Sequence, residues 1–273
     1  MVAENEKVDG SMKLLLWIGN APQHIALANL LQQNFDVVGV ILETRPSRNK
    51  NILSRIYKRI FQSPLARAWK SMQTECRQRH PSLVNQNVLH VENINHQAAI
   101  DFTAAQAADF VAVSGTRMIK SKLLGQAPGK ILNLHTGLSP YIKGGPNCTN
   151  WCLAEKKIHL IGNTVMWIDE GIDSGNLIGT EFTPLQGNED LNELHIKVMQ
   201  HAHDLYIRCI AKAIDGQAKN VDQSSICAGT TYFSRQWTPA KSRSAEQNFN
   251  RFYRQTIEGD LEKLRQHIET VEP

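Results

Sequence analysis

The first 135 residues alternate between two hydrophobic patterns. Lys13–Gly19 (KLLLWIG) is a short, continuous apolar run, which suits a strand buried on both faces. Ala21–Asn34 then places apolar residues at helical spacing, with Pro22 in position for a first turn. Further strands are predicted over Asp36–Glu43, Asn87–Val91, Asp109–Ser114 and Ile131–His135, the last after a turn at Pro128–Gly129. An alanine-rich helix is predicted over Asn95–Ala108. Strands alternating with helices imply an α/β fold: a doubly wound, mostly parallel sheet covered on both faces.

After His135 the pattern changes. Gly137–Pro146 (GLSPYIKGGP) is a turn-rich loop, and Asn150–Glu155 suits a short helix. Asn163–Asp169 and Asn176–Phe182 read as strands on either side of the tight segment Glu170–Gly175 (EGIDSG). A long amphipathic helix is predicted over Glu189–Asp215. Beyond it come a strand-like Thr230–Phe233 and a charged helical end over Ser244–Glu269. The expected division is a catalytic domain over 12–215 and a small C-terminal extension over 216–273.

Composition sharpens this little, with one exception. The chain has 273 residues and a formal charge of +4, too mild to indicate nucleic-acid binding by itself. Five scattered cysteines do not form a disulfide framework, no apolar run is long enough to span a membrane, and the polar start is unlike a secretory signal. A cytoplasmic protein with reduced thiols is expected. The exception is Thr44–Thr74, with eight basic residues (Arg45, Arg48, Lys50, Arg55, Lys58, Arg59, Arg67, Lys70) and no acidic one. Apolar residues from Ile52 to Phe61 run through it at helical spacing. Three readings stand: a solvated surface helix, an electropositive rim for an anionic substrate, or a peripheral membrane contact.

Candidate chemistry begins with Asn133-Leu134-His135. Residues two apart on a strand share a face, so an amide and an imidazole project together near a strand end, where open parallel sheets bind ligands. The second piece is Asp169-Glu170-Gly171-Ile172-Asp173-Ser174-Gly175, a glycine-flanked reversal that sets a carboxylate on a loop. No metal site is expected. Cys148 and Cys152 lack a second pair, and His195, His201 and His203 point in different directions around one helix.

The N-x-H pair, the SP…GGPN loop and TVMWIDEGIDSG, with 38 residues from His135 to Asp173, together resemble the 10-formyltetrahydrofolate-dependent formyltransferases, most of all the nucleotide-sugar N-formyltransferases. The resemblance covers Lys13 to Ile214 and is strongest from Val111 to Phe182. It implies a Rossmann-like fold and 10-formyltetrahydrofolate as co-substrate, with Asn133, His135 and Asp173 as the catalytic set. It also implies folate contacts at Ser114, Gly115, Arg117, Met118, Ile119, Trp167, Ile168 and Asp169. Acceptor contacts fall at Gly19, Asn20, Lys143, Gly144 and Gly145, and Gly19-Asn20 departs from the glycine-rich phosphate loop of the purine-pathway enzymes.

Formyl transfer to an amine builds negative charge on the formyl oxygen, which needs hydrogen-bond donors. Asn133 offers two amide N–H groups. His135 can donate when protonated or take the amine's proton when neutral, and Asp173 would favour its charged form. A nucleotide-linked amino sugar is the expected acceptor and a homodimer the expected assembly, with Thr230–Phe233 as its pairing strand. The 58 residues after Asp215 are short for a tRNA-binding barrel. The alternatives are a formyltransferase for hydroxyornithine, methionyl-tRNA or glycinamide ribonucleotide, a folate deformylase, a non-catalytic folate- or nucleotide-binding module, and a nucleic-acid binder.

Overall fold

Runs of Val, Ile and Leu too apolar to face water on either side form the centre of a seven-stranded sheet. The computed structural model describes residues 12–45, 63–171 and 173–273. The strands are β1 (Lys13–Gly19), β2 (Asp36–Glu43), β3 (Val88–Val91), β4 (Phe110–Ser114), β5 (Ile131–His135), β7 (Gly162–Trp167) and β8 (Leu177–Phe182), in the order β3-β2-β1-β4-β5-β7-β8. The first five are parallel; β7 runs antiparallel to β5, and β8 antiparallel to β7. The α/β expectation is met, with a mostly parallel sheet.

Alternate residues of β1 feed two apolar layers, as the pleat requires. Leu14, Leu16 and Ile18 pack with Leu27 and Leu31 of α1 (Pro22–Asn34) and with Leu205, Tyr206 and Ile210 of α6 (Leu191–Ile214). Leu15 and Trp17 pack on the other face with Ala99 and Ile100 of α3 (Gln97–Gln106) and Leu123 of α4 (Ser121–Leu124). The Asp190–Glu193 capping box opens α6. Among the described residues no helix is long and apolar enough to cross a membrane.

Three regions depart from the sequence expectations. First, the described part of the basic window is helical only from Pro64 onward. Its described helix, α2 (Pro64–Arg79), begins behind an Ser63 cap and runs past the window, burying Leu65, Ala68 and Met72. The stripe from Ile52 to Phe61 lies outside the described residues, as do Arg48, Lys50, Arg55, Lys58 and Arg59. Second, the loop after His135 contains a short strand, β6 (Ile142–Gly144), paired in parallel with β9 (Thr230–Tyr232) of the same chain. The strand expected to pair across a dimer therefore has a partner within its own chain. Third, α7 (Pro239–Gln255) packs against α5 (Cys148–Ala154), burying Ala245 and Tyr253, and leads through one π-turn into α8 (Leu261–Arg265). Val271 then exchanges hydrogen bonds with Thr180 on β8.

Candidate active site

Val113, Asn133 and Met166 are register neighbours across β4, β5 and β7, and together they floor a cavity of about 380 Å³. One wall is the chain after β4, from Gly115 to Ile119; the opposite wall is Trp167–Asp169 with Gly171 and Ser174. Gly144 and Gly145 close one end, beside Tyr232, Phe233 and Ser234.

His135 lies two residues beyond Asn133, behind the lining, with 8% of its surface exposed. Its Nδ1 is 3.3 Å from Asp173 Oδ2. The same carboxylate oxygen accepts the Gly144 N–H at 2.9 Å. Asp173 holds a left-handed backbone at φ +49°, a conformation Asp adopts more readily than most residues. Gln223 steadies this turn, its Nε2 donating to the carbonyls of Asp173 and Gly175 at 2.8 Å each. Gly175 has no room for a Cβ, which would collide with the Trp167 carbonyl. The tight reversal is therefore imposed by packing, and it delivers the carboxylate to the imidazole.

The wall after β4 is equally constrained. Gly115 sits at φ +73°, and a Cβ there would strike His24. Glu43, buried at the end of β2, accepts the Arg117 N–H at 2.8 Å and the Ile94 N–H at 2.9 Å. The Arg117 guanidinium donates to Glu92 O at 2.6 Å. Met118 is 60% exposed at the mouth of the cavity, while Ile119 is buried beneath it. Asp169 is occupied by its own loop, accepting from Gly171 N at 2.9 Å and from Ser174 Oγ at 2.8 Å.

The other candidates from the sequence lie outside this lining. Ser114 is buried behind it, with Oγ 2.9 Å from His24 Nδ1. Gly19 abuts the Gly115 carbonyl, and Asn20 is exposed with its N–H on Glu43 O at 3.1 Å. Ala21 occupies the first cap of α1 and offers no side-chain bond, so the asparagine does not cap the helix. Lys143, on β6, is half-buried and does not line the cavity, although Gly144 and Gly145 do. Trp151 is buried behind Gly145, donating to its carbonyl at 3.1 Å and stacking on Tyr232 at 4.4 Å. The histidines of α6 go separate ways: His195 meets Trp69 edge-on, His201 pairs with Glu181, and His203 is buried.

Sequence reasoning missed Cys148, Gly137, Gln223 and the Tyr232–Ser234 wall. Cys148 Sγ lies 3.4 Å from His135 Nε2. A Cβ at Gly137 would stand 2.5 Å from the same nitrogen. A long-range contact leaves no periodic trace, so no local pattern marks these residues.

The formyl transferase family matches over residues 21–210. A methionyl-tRNA formyltransferase from Finegoldia magna is 30% identical over 137 residues, which is 50% of this chain and 42% of the relative's length. The match thus spans less than half of that relative. Glycinamide ribonucleotide transformylase 1 from Symbiobacterium toebii superposes with a TM-score of 0.52 at 19% identity, covering 81% of this chain and all of that one. An N-formyltransferase from Helicobacter canadensis, solved with folinic acid and dTDP-3-aminofucose, superposes with a TM-score of 0.50 at 16% identity, covering 86% of this chain and 80% of that one.

Proposed function

The chain belongs to the formyl transferase family, and from that premise we propose that it moves a formyl group from 10-formyltetrahydrofolate to the amine of a nucleotide-linked amino sugar. The observation that carries the reading is that Asn133 and Asp173 line one glycine-rimmed cavity, with His135 paired to Asp173 behind it.

The cavity suits a flat heterocycle. Val113, Met118, Ile119 and Ile168 supply apolar walls, and glycines at 115, 144 and 175 bring main-chain groups to its edge. The bound donor would supply the formyl carbon and its oxygen. Asn133 presents neutral amide donors to that oxygen as it gains charge, with no ion to desolvate. Asp173, oriented by Gly144 N and Gln223, fixes the imidazole, so the pair can hold the proton lost by the amine.

For the acceptor, support comes from the rim and from the Helicobacter canadensis protein, whose solved complex contains a nucleotide-linked amino sugar. Arg45, from the basic window, reaches Gly115 O at 3.4 Å with its side chain 56% exposed, placing a cation beside the cavity wall. Such a cation attracts a diphosphate in a salt-dependent way. Folding the C-terminal segment into the wall through Tyr232–Ser234 leaves the mouth open beside Phe233, 39% exposed, and Met118. A homodimer and a cytoplasmic location complete the reading.

The test mixes purified protein with 10-formyltetrahydrofolate and, in turn, nucleotide-linked amino sugars, glycinamide ribonucleotide, hydroxyornithine and charged initiator tRNA, following tetrahydrofolate release. Release that depends on an amino sugar is expected. Release with tRNA or glycinamide ribonucleotide alone would replace the acceptor, and no release with any amine would end the formyl-transfer reading. Arg45→Ser is expected to raise the amino-sugar KM about threefold at low salt, an effect of the size an exposed charge pair supplies, and to leave the folate KM unchanged.

A further inference from the structure

Both ring nitrogens of His135 have side-chain neighbours, and only one of them belongs to the expected catalytic set. Nδ1 faces Asp173 at 3.3 Å. Nε2 faces the thiol of Cys148 at 3.4 Å, and that sulfur also lies 3.5 Å from the Gly144 carbonyl. The cysteine is 1% exposed, and burial holds its thiol in the neutral form by raising it well above its ordinary value. It is therefore neither a thiolate nucleophile nor open to reagents.

We infer that Cys148 is a positioning residue that holds the tilt of the His135 ring by partnering its Nε2. In a neutral histidine one nitrogen donates and the other accepts, and their partners decide which. Asp173 can only accept from Nδ1–H, which leaves Nε2 as an acceptor. Cys148 supplies the matching S–H. When the ring gains a second proton at Nε2, the thiol proton turns to the Gly144 carbonyl and Sγ accepts from the ring. A group that both donates and accepts can satisfy the ring in either state, and an alanine can satisfy neither. Gly137 makes the contact possible, since a Cβ there would lie 2.8 Å from Cys148 Sγ. Gly144 ties the parts together: its N–H holds Asp173, and its carbonyl is the thiol's second partner.

The inference rests on His135 acting in formyl transfer, so its test includes a readout independent of turnover. In protein labelled with 15N-histidine, the His135 ring signals are assigned by their loss in His135→Asn. The wild-type neutral ring is expected to carry its proton on Nδ1. Cys148→Ala is expected to keep that tautomer but to shift the Nε2 signal to that of a nitrogen without a donor, and Cys148→Ser to restore the wild-type position. Wild-type and Cys148→Ala rings with the same Nε2 signal would overturn the inference, whatever the activity. In turnover, Cys148→Ala is expected to lower kcat about tenfold, the worth of one hydrogen bond, with the folate KM within twofold and Ser recovering most of the loss. A raised KM with unchanged kcat would also overturn it. A wild-type protein inert with every amine would instead end the formyl-transfer reading, while the ring signals still decide the role of Cys148.

Discussion

Two histidine–carboxylate pairs, one at β5 and one at β8, differ in what surrounds them. His135 and Asp173 meet at 3.3 Å beside an open cavity. His201 and Glu181 meet at 3.0 Å where α6 crosses β8. In the second pair every polar edge is spent on the protein. Glu181 takes two hydrogen bonds from Arg208, at 2.7 and 2.6 Å, and these hold its carboxyl below the usual range against the opposing effect of burial. The other nitrogen of His201 lies 2.9 Å from the Asn163 amide. In the first pair the carboxylate accepts one backbone N–H and the imidazole, and an uncharged amide stands two residues away on the cavity floor. Distance between a histidine and a carboxylate does not separate a structural clamp from a site; a reachable volume and an uncommitted donor nearby do.

The sharpest way to break this comparison is to disable each pair in turn. Asn133→Ala and His135→Asn are each expected to lower kcat about 10²–10³-fold, the usual loss of a transition-state donor, with the fold intact by circular dichroism. Asp173→Asn keeps the side chain's shape, removes the carboxylate charge beside the imidazole, and is expected to cost as much. Turnover within a fewfold of wild type would reduce the first pair to the status of the second.

A comparably large effect on stability comes from histidines that have no carboxylate at all. Burial lowers His203 to about 3 and His195 to about 4; burial and the Arg45 charge lower His24 to about 4. Unfolded, each takes a proton near 6.5. Between those values the unfolded state binds more protons, so stability falls as the pH drops from 6.5 toward 4. Each histidine contributes up to about 1.4 kcal/mol per pH unit. Urea denaturation at pH 7 and pH 5 should show the loss, and His203→Gln should flatten it.

Tyr206 tests whether the cavity floor depends on the helix beneath it. Its buried hydroxyl accepts from Val113 N at 2.8 Å and donates to Leu132 O at 2.7 Å, joining β4 to β5 immediately before Asn133. Tyr206→Phe is expected to cost about 1–3 kcal/mol by leaving buried polar groups unpaired, read as a lower Tm.

The smallest effect is expected from Glu181→Gln: under about 1 kcal/mol of stability for a partly exposed ion pair, and unchanged kcat. Because the folded carboxyl is held low, its contribution is present above its ordinary value of 4.5 and lost as the pH falls below it. The Tm gap between variant and wild type should therefore close in acid. A large drop in kcat would make the second pair part of the site.

Local pattern was enough for the central strands and for the Asn133–His135 pair. A strand buried on both faces needs an unbroken apolar run, and a period of two puts residues 133 and 135 on one side whatever surrounds them. The Glu170–Gly175 reversal was legible for a similar reason, since two glycines four residues apart mark a chain that must turn tightly. What the turn delivers was not legible from spacing. Asp173 reaches His135 because Gly175 packs against the Trp167 carbonyl and Gln223, 50 residues on, bonds to the turn.

Tertiary structure alone decided the rest. β6 and β9 are three residues each, too short to show a period, and they exist because they pair with each other across the fold. That pairing seats Tyr232–Ser234 in the cavity wall and aligns Gly144 with both Asp173 and Cys148. A sequence pattern reports which side of an element is buried; it carries nothing about which distant side chain occupies the other side of the contact.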